Sequence, residues 1–241
     1  MEGSLSAFAA VMSVIAVIVS SVLSYRINRR SREEQVEDLA IRFREPLLQS
    51  AHNLQSRLFN IVRQDFLGRF LTAPDSSAAE QEYAIRNTEY LIAQYLGWVE
   101  VIRRESQYID PRSRKNNRII AERLEGVRNR FAQSHRTEDR PLRLFRGEQR
   151  AVGEVMLVPV DSPAGGVPRW ECLGYASFVR AFEDPHFRAW FAPLEEGIRE
   201  MAAAQGDFPP RIIELQHALV DLMDALDPEC DRVPRDWRSR L

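Results

Sequence analysis

An all-helical fold is predicted by three features of this 241-residue sequence. The first is an uncharged N-terminal run, positions 3 to 25, long enough to form one membrane-crossing helix. The second is the recurrence of apolar residues at spacings of three and four through most of the remaining chain, the period of helices packed on a core. The third is the punctuation: Asp-Pro and Pro-Pro pairs mark helix starts, and no two segments alternate apolar and polar residues as paired strands would.

Composition narrows the function classes. With 33 basic and 35 acidic side chains the formal charge is −2, which argues against a globally basic nucleic-acid binder and against a charge-driven disordered chain. Apolar residues make up 44% of the chain, enough for one sizeable core. Eleven Gly, 13 Pro and two Cys match no collagen-like or disulfide-dense class. All basic residues but Lys115 are Arg, a usage expected of a GC-rich, bacterial coding sequence.

Taken in order, residues 1–25 are expected to form a transmembrane anchor, with Leu5 to Leu23 almost wholly Ala, Val, Ile, Leu, Met, Phe or Ser. As a helix the uncharged run spans roughly 35 Å, against a hydrocarbon core of about 30 Å. A cleaved signal peptide would carry positive charge before the run; here only Glu2 precedes it, and Arg26, Arg29, Arg30 and Arg32 come after it. The positive-inside bias therefore places the N-terminus outside and the long C-terminal part in the cytoplasm, as expected of a single-pass inner-membrane protein. Residues 26–39 form a charged stretch without Gly or Pro and are expected to continue as a juxtamembrane helix.

Residues 40–230 are expected to form one cytoplasmic domain of about six to seven helices with no substantial sheet. Ala40, Phe43, Leu47, Ala51, Leu54, Leu58, Ile61 and Val62 make the stripe of a straight amphipathic helix, with a kink or a new first turn at Pro46. A strict seven-residue repeat would instead align Phe43, Ser50, Arg57 and Gln64, which form no apolar seam. Thr72–Ala79 reads as a loop, and a central helix is expected from Glu80 to about Tyr108. Its Tyr83, Tyr90, Tyr95 and Trp98 are read as core residues. Further helices are expected over Arg112–Ala132, Leu142–Val158, Trp170–Phe182, Asp184 to about Ala204, and from Pro209 to Leu226. Val155–Val160 has strand-like residues but no visible partner, and Pro159–Pro168 reads as a flexible loop. Trp170, Phe178, Phe182, Phe187, Trp190 and Phe191 form an aromatic cluster expected in the core. The basic tail 231–241, with Trp237 among Arg235, Arg238 and Arg240, is expected to lie outside the fold.

Candidate chemistry is sparse. Glu214 and His217, in an E-x-x-H string, together with Asp221 would share a helix face and define an alternative reading as a membrane-tethered enzyme or metal-binding bundle. There is no G-x-S-x-G elbow, no phosphate-cradling glycine loop with a lysine, and no zinc spacing between Cys172 and Cys230. No cofactor is expected, and the two cysteines are expected to be plain thiols.

Charge is segregated along the chain: residues 103–150 hold 14 basic and 7 acidic side chains, and residues 151–231 hold 5 and 15. These halves are expected to pair inside one domain. The competing reading makes Arg143, Arg146 and Arg150, at i, i+3, i+7, one helix face that grips a small anion. In the same reading Arg112, Arg114, Lys115 and Arg118 touch anionic lipid. The sequence thus predicts a membrane-anchored interaction or sensing protein without an evident catalytic site. Its expected partners are the bilayer through residues 5–23 and a protein partner or a second copy of itself.

Overall fold

The computed structural model of the chain describes Tyr25 and residues 43–105, 114–133, 140–160, 169–204 and 206–241. The expected membrane span 5–23 and the charged stretch 26–39 lie outside these residues. Among those described, no helix is long and apolar enough to cross a membrane. The chain divides into two compact units, Met1–Arg42 and Phe43–Leu241, and every element named below belongs to the second.

Helix α1 covers residues 43–63 and is continuous through Pro46. Its predicted stripe turns inward: Phe43, Leu47, Ala51, Leu54, Leu58 and Ile61 are buried. Burying each large aliphatic side chain contributes about 1.5–3 kcal/mol, so this one face outweighs any surface contact the helix makes. A turn with Asp65 at positive φ leads into a π-helical turn, Gly68–Thr72.

Helix α2, Ala78–Glu105, begins two residues before the expected start at Glu80. Ser77 and Glu80 form a reciprocal cap, the Glu80 carboxylate accepting from the Ser77 N–H at 2.8 Å and the Ser77 hydroxyl accepting from the Glu80 N–H at 3.3 Å. The signal, Ser-x-x-Glu, lies within a stretch of loop-like composition. As predicted, α2 is central: it packs on the π turn and on several of the later helices and strands, and it buries Ile85, Ile92, Tyr95, Leu96 and Val101.

Helix α3, Arg114–Ala132, directs Val127 and Phe131 fully inward and Ile120 and Leu124 partly so, whereas Ile119 is exposed. The expected helix Leu142–Val158 is shorter at both ends. Leu142, buried at a φ of 55°, holds a turn that aims the chain back at α3, where the Leu144 N–H donates to the Phe131 carbonyl at 3.0 Å. Helix α4 then runs over Arg146–Val155, its start capped by Glu148, which accepts from the Phe145 N–H.

The strand-like residues of Val155–Val160 do have a partner. Strand β1, Leu157–Val160, pairs antiparallel with β2, Arg169–Cys172, in the register Leu157 opposite Cys172 and Val160 opposite Arg169. The helix expected from Trp170 therefore starts only after this strand; Trp170 and Cys172 fit either period over so short a run. One face of the hairpin lies on α2, and the guanidinium of Arg104 covers the Trp170 ring at 4.8 Å.

Helix α5, Tyr175–Ala181, is succeeded by α6, Pro185–Ala189, and α7, Ala192–Ala203. Asp184 caps α6 as its position before Pro185 predicts, accepting from the His186 N–H at 2.9 Å. The single helix expected from Asp184 to Ala204 is broken at Trp190 and Phe191. The break lets Phe191 turn back onto Phe178, Phe182 and Phe187, with ring centroids 5.0–5.2 Å away. Trp190, expected in the core with them, is exposed.

Helix α8, Pro210–Leu226, packs along α3, and a 3-10 turn, Arg235–Arg238, comes after it. The tail does not lie outside the fold. The Arg238 side chain is 3% exposed and donates to Asp224, to the Asp227 carboxylate and to the Val233 carbonyl. Gln55 of α1 donates to the Trp237 carbonyl at 2.7 Å, and Gln216 of α8 to the Gln55 carboxamide oxygen and the Ser239 carbonyl at 2.8 Å each. Trp237 stacks on His52 at 5.7 Å while staying 61% exposed, so its ring lies over the surface and is not inserted in the core.

The close contacts of this packing set two expectations for stability. Gly153 lets α4 touch α2, since a Cβ there would lie 2.7 Å from the Leu96 carbonyl oxygen, whereas Gly126 on α3 has open space. Gly153→Ala is expected to cost about 1–3 kcal/mol and Gly126→Ala to stabilise by about 0.5–1 kcal/mol, read from thermal unfolding of the chain in uncharged detergent. Arg238→Ala breaks a buried ion pair and is expected to cost about 3 kcal/mol in the same assay, with protease sensitivity appearing first after Leu226.

Candidate functional site

The arginines singled out from sequence do not converge. Arg143 precedes α4, so the shared helix face holds only Arg146 and Arg150, and the Arg143 guanidinium lies over the Phe145 ring at 5.3 Å. Arg146 reaches across to Glu125 and to the Asn129 carboxamide of α3, and Arg150 pairs with Glu154 at 2.9 Å within α4. Arg118 pairs with Glu122 on the exposed side of α3. Arg112 and the side chains of Arg114 and Lys115 lie outside the described residues.

The alternative metal or catalytic group is likewise dispersed. Glu214 accepts from Arg130 at 2.8 Å, His217 Nε2 faces the Leu241 carbonyl at 3.1 Å, and Asp221 pairs with Arg240 and Arg123. Each of the three is turned to a different neighbour, and among the described residues no three His, Cys, Asp or Glu side chains are grouped to hold a metal. The pairs from Arg123 and Arg130 to Asp221 and Glu214 join the basic and acidic halves of the sequence across α3 and α8. Exposed as they are, each contributes at most about 1 kcal/mol. Cys172 and Cys230 are free. Burial, with some help from Glu171, pushes the Cys172 thiol up to about 12, so at neutral pH it is no nucleophile.

What the structure does assemble is a polar and aromatic seam between α1, α2, α5 and α7. Tyr83, Arg86, Asn87 and Tyr90 stand at i, i+3, i+4 and i+7 on α2 and share one face. Tyr175, opening α5, sits edge-on to both Tyr83 and Tyr90 at 6.4 and 5.2 Å. Of the two α2 tyrosines expected in the core here, Tyr90 is buried, but Tyr83 is 47% exposed.

Two buried charges lie in this seam. Glu89 is 0% exposed; its Oε2 accepts from Arg86 at 2.7 Å and its Oε1 has no partner. Burial raises the Glu89 carboxyl to about 7 despite Arg86. Arg86 continues to Glu195 at 3.0 Å, and Glu195 to Arg199 at 2.8 Å, which ties α2 to α7. Burial works against the Arg86 charge, but Glu89 and Glu195 outweigh it and hold its pKa up.

The second charge is Arg57, which in the sequence serves only to interrupt a coiled-coil seam. It is 8% exposed, its Nη2 donates to Asn87 Oδ1 at 2.6 Å, and its guanidinium lies over the Phe66 ring at 3.8 Å and the Tyr83 ring at 5.9 Å. Nη1 is buried without a partner among the described residues. Burial lowers its pKa, opposed by the nearby Tyr83 and Tyr175 hydroxyls. An uncompensated buried ion costs several kcal/mol. A neutral hydrogen bond contributes about 1 kcal/mol and cation–π contacts about 0.5–2 kcal/mol, so the fold carries a net cost here.

No family model, curated protein or solved structure matches the chain. The seam therefore stands on its own geometry.

The Glu89 environment sets a pH dependence. A carboxyl raised from its ordinary value to about 7 binds a proton in the folded state that the unfolded chain releases, so the contribution of Glu89 to stability is fully present below about pH 4.5 and is lost as pH rises to about 7. Glu89→Gln is expected to flatten that fall by about 2 kcal/mol between pH 5 and 7.5, checked by unfolding at both values.

Proposed function

We propose that this chain is a single-span membrane protein, N-terminus outside and C-terminal unit cytoplasmic, whose helical unit serves interaction or sensing through a protein partner or a second copy of itself. The observation that carries the reading is the uncharged run of residues 3–25 with Arg26, Arg29, Arg30 and Arg32 directly after it. Helix α1 supports the sensing part. It comes after the charged stretch in sequence, reaches α8 and the tail through Arg44 and Gln55, and reaches α2 through Arg57. A displacement of α1 is thus felt on both sides of the core and at the buried charge of Arg57. Anionic lipid near Arg112, Arg114, Lys115 and Arg118 fits the same orientation.

The full chain is expected to stay in the membrane pellet after an alkaline carbonate wash, and a fluorescent-protein fusion at its C-terminus to fluoresce. Ile15→Arg with Ile18→Arg adds about 2.5–3.5 kcal/mol per residue to insertion and is expected to release the chain. Wild-type protein in the supernatant would overturn the anchored reading, and a dark but membrane-bound fusion would reverse the orientation.

A further inference from the structure

We propose that Arg57, with Tyr83, Tyr175 and Asn87, is a binding site for a small monocarboxylate carried on an apolar body. Arg238 and Arg211, the other arginines buried among the described residues, and the part-buried Arg86 are met by acids or by carbonyl oxygens. Arg238 receives Asp224 and Asp227, Arg86 receives Glu89 and Glu195, and Arg211 donates to the carbonyls of Pro141 and Gln133. Arg57 receives one neutral carboxamide and two aromatic rings, and its Nη1 donors are buried with no acceptor among the described residues. A guanidinium offers its donors in a planar fork matched to a carboxylate, so the missing partner is an oxyanion in that plane.

The surroundings narrow which oxyanion. The Tyr83 hydroxyl acts on the Arg57 guanidinium through a hydrogen bond as well as through charge, the Tyr175 hydroxyl through charge, and each keeps an O–H to donate to an anion beside the guanidinium. Asn87, holding Nη2 at 2.6 Å, fixes the plane of the fork. One positive charge is uncompensated, which one negative charge balances. A phosphate dianion would bring a second charge close to Glu82, which already acts on the Tyr175 hydroxyl. The walls are apolar: Phe66 lies under the guanidinium, and Phe70 packs on Phe66 with ring centroids 5.0 Å apart. Tyr83 is half exposed and its ring lies 5.9 Å from the guanidinium, so it is the side chain through which the proposed site meets solvent.

This assignment does not depend on where the chain resides, and its test leaves the membrane reading untouched. The full chain in an uncharged detergent is titrated calorimetrically with benzoate, benzamide and inorganic phosphate. Benzoate is expected to bind at one saturable site, with benzamide at least about tenfold weaker for want of a charge-assisted fork and phosphate weaker because its second charge meets Glu82. Arg57→Met is expected to lose at least about tenfold in benzoate affinity without a lower melting temperature, since it removes an uncompensated charge. Tyr83→Phe, which deletes one hydroxyl at a partly exposed position, is expected to lose about threefold and keeps the test valid if the Arg57 variant fails to fold. No saturable benzoate binding by the wild-type chain overturns the proposal, as does binding unchanged in Tyr83→Phe and Arg57→Met. Phosphate binding tighter than benzoate overturns the monocarboxylate assignment.

Discussion

A helix with no fully exposed residue over most of its length needs covering elements on every side, and α2, from Ala84 to Glu105, imposes that constraint on the rest of the unit. It buries Ile85, Ile92, Ala93, Tyr95, Leu96 and Val101 on more than one side, so covering elements are needed on each. The π turn, α4, strand β2, α5 and α7 all lie against it. The approach is close at α4, where Gly153 meets the Leu96 carbonyl, and at β2, where the Cys172 sulfur sits over Gly97. Without those two glycines the hairpin and α4 would stand further out, and the contacts of the core would thin on that side.

The same enclosure explains the electrostatics. Covering a helix that carries Arg86 and Glu89 removes Glu89 wholly and Arg86 largely from water, and Glu195 and Arg199 extend the pair toward the surface. Charges on α3 and α8 face a different situation. Arg123, Arg130, Glu214 and Asp221 remain part-exposed, and their pairing orders the surface more than it stabilises the fold. The hydrophobic contacts of Val127, Phe131, Leu215 and Leu219 hold that side together. Arg57 differs from both groups, because α1 buries it against aromatic rings and a carboxamide in place of an acid.

How much is legible in the sequence depends on how local each signal is. The α1 stripe, the centrality of α2, the inward face of α3 and the Asp184 cap can all be read there, since periodicity and capping depend on neighbours within a turn or two. Ser77 and Glu80 carry an equally local signal, hidden by the loop-like composition around it. The hairpin is not legible, because a four-residue strand is defined by its partner and β1 and β2 are separated by residues 161–168. The break at Trp190 escapes for a related reason: it is favoured by Phe191 packing on Phe178, a contact that periodicity does not encode. Among site residues, the carboxylates and arginines chosen by spacing are turned to separate neighbours, while Arg57 looks like an ordinary polar interruption.

By itself the sequence determined the uncharged N-terminal run, the helical character of most of the remaining chain and the starts of α6 and α8 at their proline signals, all consequences of short-range pattern. Tertiary structure decided which polar groups lose water. Gln55 meets the Trp237 carbonyl across 182 positions, Arg238 closes the tail onto Asp227, and Arg57 is sealed beside Asn87 and Tyr83 of α2. Burial is a property of what packs over a side chain, and for these residues most of the covering groups come from other elements of the fold. Their role therefore emerged only when the chain had closed around them.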